Sequence, residues 1–195
     1  MSQYYFLVAS LPALQLDVPP PLSFERLRVL CADHLSAPDR AAFAQARLDV
    51  WNGHPDSQPA LLRWYRWEIA LRNTLARARA GSRGADAEPF LREIPNLSVE
   101  NGGADTVECE SVARAALAAA TPLAGQETLD RARWSLFESL ELGHPFSLDV
   151  VIAYALKLQL LERRALAAAD RGREVLERIR GSAVEKIRAG EAFHE

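Results

Sequence analysis

Cysteine is scarce in this chain, with only Cys31 and Cys109 present, far apart and neither in a C-x2-C pair. That spacing excludes a disulfide framework and a ribbon-type zinc site, and both residues read as small buried apolar side chains of a reducing compartment. Histidine is also sparse. His34 sits at a helix end beside Asp33, and His54 and His144 each precede a proline, a setting for turns rather than for acid–base work. Long apolar runs are missing: the opening stretch Tyr4 to Leu11 is far short of the roughly 20 residues a spanning helix needs, so direct membrane insertion is not expected. No basic leader with a small-residue cleavage site opens the chain, and a cytoplasmic protein is expected. A G-x-x-x-x-G-K-[ST] loop, a G-x-G-x-x-G fingerprint and a G-x-S-x-G elbow are all absent. The backbone devices for cradling phosphate or presenting a nucleophilic serine are therefore lacking, and no ATP, cofactor, metal or catalytic residue is expected. Charge of one sign does not dominate either: the formal net charge is −3 with acidic and basic residues interleaved, which argues against nucleic acid as the partner.

What the chain does contain is helical pattern. Its 195 residues are 49% apolar, enough for a sizeable core. Tyr4 to Leu11 is aromatic and β-branched, and its period alone leaves strand or buried helix open. Pro19, Pro20 and Pro21 form a stiff spacer, after which Ser23 caps a helix with Phe24, Leu27, Leu30 and Cys31 on its apolar face. Ser36, three residues before Asp39, opens another helix running to about Trp51. After the breakers Asn52 to Pro59, a long helix extends from about Pro59 to Ala80 and stops at Gly81. The stretch Gly81 to Gly103 reads as a loop with one short helix near Pro89 to Ile94. Asp105 with Glu108 opens an Ala-rich helix to about Ala120, ended by Thr121-Pro122, and a further helix spans about Glu127 to Leu142. Ser147 caps the last long helix, with Leu148, Val151, Ile152, Ala155 and Leu158 as its buried stripe, and helical pattern persists through 173–195.

The helix from Pro59 carries the most information. Leu61, Trp64, Tyr65, Ile69, Leu71 and Leu75 form one broad apolar face, with Arg63, Arg66, Asn73 and Arg77 on the other. Glu68 and Arg72 fall within the apolar face at i,i+4 spacing, the favourable order for a helical ion pair. Two readings stand: a core ion pair that fixes helix register, or a polar latch to a second helix or partner. Trp64, Tyr65 and Trp67 beside Arg63 and Arg66 resemble a base-stacking platform, but the apolar stripe claims Trp64 and Tyr65 for the core. Lys157, Arg163 and Arg164 make a small basic patch on the last helix, either a solvated face or a docking surface for an acidic partner.

Three segments share a family likeness. YYFLVASLP, WYRWEIALRNTLARARA and DRARWSLFESLELGHPFSLDVVIAYALKLQLLERR resemble a bacterial family of unknown function associated with V-type ATPase operons. That family is similar to the central-stalk protein of bacterial and archaeal V/A-type ATPases known as the C subunit, and as the d subunit in eukaryotes. Leu71, Arg72 and Asn73 match its Leu-Arg-Asn motif, and Ile152, Ala153, Tyr154 and Lys157 its aliphatic-Ala-Tyr stretch leading to Lys. The chain is shorter than a typical member of that larger family, which is built of three related helical bundles around a funnel.

The expected fold is an all-α bundle of about six to eight helices, a shortened relative of that stalk protein, with an N-terminal part over 1–100 and a C-terminal part over 101–195 packed against it, or with the two forming one single domain. The resemblance implies a helical N-terminus and a non-catalytic accessory protein that couples the rotor shaft to the membrane c-ring of a proton- or sodium-translocating ATPase. It would sit at the cytoplasmic face of the inner membrane through its complex. The alternative is a helical scaffold or regulatory adaptor with no ATPase connection. Glu68, Arg72, Asn73, Tyr154, Lys157, Arg163 and Arg164 are the structural or interface candidates.

Overall fold

A computed structural model describes residues 4–49, 58–93, 103–143 and 145–168. Expectations for residues 52–57 and 173–195, and for His54 and His144, lie outside the described residues. Among the described residues seven α-helices follow one another: α1 (Tyr5–Ser10), α2 (Phe24–His34), α3 (Ala37–Ala44), α4 (Pro59–Arg83), α5 (Gly103–Leu117), α6 (Pro122–Leu140) and α7 (148–168). A single 3-10 turn at Glu88–Phe90 stands where a short helix near Pro89 is expected. No strand occurs among the described residues, so the chain is the all-α bundle its periodicity predicts.

The opening run is helix, and tertiary contacts are the reason. Six residues cannot sustain a helix in water. Here the Tyr4 N–H donates to the Phe146 carbonyl at 2.6 Å, the Tyr4 hydroxyl donates to Asp39, and Leu7 is buried. The two serine caps of α2 and α3 form as expected: Ser23 Oγ accepts from the Arg26 N–H, and Ser36 Oγ from the Asp39 N–H.

Several boundaries differ from expectation, each for a local reason. The helix from Ser36 ends at Ala44, because the backbone beyond it finds other partners: the Arg47 carbonyl accepts from Trp64 Nε1, and Gln159 bonds both Ala46 and Leu48. The α4 helix passes through Gly81 and ends at Arg83, with Gly84 at φ 64 in the left-handed region that glycine enters without strain. Thr121-Pro122 is a start as well as a stop: Thr121 Oγ1 accepts from the Ala124 N–H with Pro122 at the first helical position. Helix α6 therefore begins at Pro122 rather than near Glu127. Helix α5 ends at Leu117, not near Ala120, and α6 folds back onto it. Gly125 permits that close approach, since a Cβ there would lie 2.6 Å from the Ala116 carbonyl oxygen. Ser147 precedes α7, but its buried hydroxyl makes no hydrogen bond among the described residues, so it is not a side-chain cap there.

Helix α7 is the largest correction. An apolar stripe over a polar face is expected, yet Val151 to Leu158 are buried without interruption, and so are Leu160 and Leu161. It is the axis of the bundle. One contiguous core surrounds it and draws on both expected parts of the chain, from Tyr4 and Leu27 to Cys109, Phe137 and Leu161. Trp64 packs against Phe137 with ring centroids 4.9 Å apart, and Trp67 lies beside it, fully buried. Cys31 and Cys109 are both buried in this core and form no disulfide with each other. No helix among the described residues is long and apolar enough to cross a membrane.

Candidate functional site

The polar residues of α7 fasten it to most of the segments around it. Tyr154 donates its hydroxyl to the Pro12 carbonyl at 2.9 Å, and Lys157 bonds Glu141 at 2.8 Å. Gln159 clamps the chain after α3, donating to the Ala46 carbonyl at 2.7 Å and accepting from the Leu48 N–H at 3.4 Å. Glu162 accepts from the Phe24 N–H at 2.7 Å, adding a carboxylate to the N-terminus of α2. Arg163 reaches Asp130 and Arg164 reaches Asp17. The buried stretch of α7 must satisfy the polar groups it carries, and each of these residues holds a different piece of backbone or side chain.

The densest of these contacts is a network of charges between α4, α6 and α7. Glu68 is closed to solvent on α4. Its Oε1 accepts from Arg72 Nε at 2.7 Å and from Arg133 Nη2 at 3.0 Å, while Oε2 accepts from Arg133 Nε at 2.9 Å. Arg133 then donates Nη1 to Asp130 Oδ1 at 3.1 Å. That same oxygen accepts from Gln126 at 2.8 Å and from Arg163 at 2.6 Å, and Arg164 lies 3.6 Å from Oδ2. Burial pulls the Arg133 guanidinium down in pKa, but Glu68 and Asp130 more than offset it, and the net shift is upward. Arg163 shifts the other way: burial dominates, and repulsion by Arg133 and Arg72 adds to it against the attraction of Asp130.

Of the candidates read from sequence, Glu68, Arg72, Arg163 and Arg164 are brought together here, and both readings of the Glu68–Arg72 pair are partly met. Glu68 is a core ion and it does latch a second helix, but its deeper partner is Arg133 rather than Arg72, whose side chain is 27% exposed. Lys157 does not join Arg163 and Arg164 in one solvated patch. It is buried, paired with Glu141 and set 5.2 Å from the centre of the Trp134 ring. Asn73 is not on an exposed face: it is buried and pairs with Arg92 backbone in both directions, donating to the carbonyl at 2.8 Å and accepting from the N–H at 2.9 Å. Trp64 and Trp67 are core residues, not a stacking platform.

Two members of the network escape a sequence reading. Arg133 reads as an apolar stem within its helix, and Asp130 has no evident role. The available signal was their i,i+3 spacing on the face shared by Leu129, Leu136 and Phe137, the same criterion that picks out Glu68. Chemically, both oxygens of Glu68 and Oδ1 of Asp130 are already taken by guanidinium or amide donors, which commits these carboxylates to holding three helices together. Among the described residues, no group of three His, Cys, Asp or Glu side chains is placed to hold a metal ion.

The geometry defines an all-helical body organised on a buried central helix and cross-braced by an arginine–carboxylate network. Comparison with family models, with curated proteins and with solved structures gives no match to this chain.

Proposed function

We propose that this chain is a non-catalytic accessory component of a V/A-type proton- or sodium-translocating ATPase, placed at the central stalk between rotor shaft and c-ring and held at the cytoplasmic membrane face by that complex. The observation that supports the reading is the convergence of the three family-like segments on the bundle axis. The opening YYFLVASLP is α1 and its flanks, the Leu71–Asn73 motif lies on α4, and Ile152, Ala153, Tyr154 and Lys157 lie on α7. Leu71, Ile152 and Ala153 are buried, and Asn73, Tyr154 and Lys157 each tie down another segment. Motif residues that build the frame are what a shared helical architecture requires.

A part that passes torque between neighbours needs stiffness more than chemistry, and bonds from one axial helix to segments along the chain provide it. Affinity purification of the tagged chain from membranes of its source cells tests the partnership. Rotor-shaft and c-ring proteins are expected to come down with it at a fixed ratio. A chain that never associates with the ATPase, in cells whose ATPase assembles and pumps normally once it is deleted, would overturn the reading.

A further inference from the structure

A cleft of about 450 Å³ opens between the coil at Leu16 to Pro19, the first turns of α6 and the last turns of α7. Its volume lies in the range of small-molecule sites. Asp130, Arg163 and Arg164 line it, with Leu16, Val18, Leu123 and Leu161 as apolar walls. Of these wall residues, Val18 and Leu123 are 49% and 40% exposed.

The polar side of the cleft has donors to spare. A guanidinium carries five N–H donors. Among the described residues Arg163 uses them for a single hydrogen bond, at 2.6 Å to Asp130 Oδ1. Arg164 donates one hydrogen bond, at 3.1 Å to Asp17, whose side chain is 64% exposed. The one buried carboxylate of the cleft, Asp130, is shared among Arg133, Arg163 and Arg164. Arg163 and Arg164 therefore keep N–H donors on the cleft wall beyond the ones that Asp130 and Asp17 occupy.

We propose that this cleft binds a small monocarboxylate with an aliphatic body, its carboxylate bridging Arg163 and Arg164 and its body lying along Leu16, Val18, Leu123 and Leu161. The planar guanidinium matches a carboxylate in two parallel hydrogen bonds. A cationic head meets two like charges, and a neutral head forgoes the charge-assisted hydrogen bonds that two guanidinium groups offer. A single negative charge fits better than two, because Asp130 already supplies part of the compensation. Glu127 and Asp17 also line the cleft, and both are exposed, so water weakens their repulsion of the bound carboxylate. The free chain carries every group involved, so binding does not depend on the ATPase partnership.

Calorimetric titration of the full chain with octanoate, 1-octanol and octylammonium tests this. Octanoate is expected to bind at least tenfold more tightly than 1-octanol, with octylammonium weakest. Arg163→Gln should lower octanoate affinity at least tenfold and leave 1-octanol unchanged. Leu123→Trp, which fills the cleft without touching the charged network, should abolish octanoate binding in a chain that melts like the wild type. Equal affinity for octanoate and 1-octanol, or no binding of any of the three, overturns the assignment. So does unchanged octanoate affinity in Arg163→Gln, and if that variant fails to fold, octanoate binding retained by Leu123→Trp overturns it instead.

Discussion

Arg133 lays its guanidinium side-on against Glu68, with Nε and Nη2 donating to the two oxygens of a carboxylate closed to solvent. The pair joins α6 to α4 across 65 positions of sequence. Desolvation of two ions is offset here by a two-point hydrogen bond and by second partners on each side, Arg72 for Glu68 and Asp130 for Arg133.

Removing one ion strands the others. Glu68→Gln is expected to destabilise the fold by about 3–5 kcal/mol, the range for breaking a buried pair. In double-mutant cycles by urea denaturation, Glu68 should couple to Arg133 by about 2 kcal/mol or more, and to the partly exposed Arg72 by under about 1 kcal/mol. Equal couplings would show that the α4–α6 connection is not the dominant one.

Asn73 replaces a missing backbone partner for the segment after α4. Asn73→Ala removes both hydrogen bonds to Arg92, and the expected loss is about 1–2 kcal/mol, the net worth of two such bonds. Amide hydrogen exchange at Arg92 should accelerate well beyond the change at α4 itself. Unchanged protection there would mean that the clamp does not hold the segment.

At Gly125 two principles oppose each other. Alanine gains about 1 kcal/mol in helix propensity. Its Cβ, however, would meet the Ala116 carbonyl at 2.6 Å, and prising α5 from α6 costs about 1–3 kcal/mol. The backbone contact should win, so Gly125→Ala lowers the melting temperature; a rise would show that the two helices part freely.

The two tryptophans of α4 predict opposite responses to removal of their N–H. Trp64 Nε1 donates to the Arg47 carbonyl at 2.9 Å, whereas the buried Trp67 Nε1 has no partner among the described residues. Trp64→Phe should therefore cost about 1–3 kcal/mol more than Trp67→Phe in denaturant unfolding, despite similar losses of volume.

Alkali should unfold the chain earlier than acid–base content alone implies. Burial raises the Cys31 thiol to about 12 and the Tyr154 hydroxyl to about 12, from ordinary values of 9.0 and 10.0. Both groups are neutral in the fold and ionise sooner once exposed. The unfolded chain thus releases protons first, and stability present below about pH 9 is lost as pH rises toward 12. Urea midpoints measured from pH 7 to 11.5 should fall, with a shallower fall in Cys31→Ala.

Sequence alone determined what repeats locally. The caps at Ser23 and Ser36, the helical period of α4 and the buried nature of Glu68 all follow from spacing a few residues wide. Tertiary structure decided everything that needs a partner distant in the chain. A wheel cannot tell a helix with one buried face from one buried all round, because α7 hides Lys157 and Gln159 by giving them partners at Glu141 and Ala46. Likewise Asn73 reads as polar surface until Arg92 meets it, and Asp130 as solvated until Arg133 and Arg163 converge on it. A polar side chain's burial depends on whether something across the fold satisfies its hydrogen bonds, and no local pattern records that.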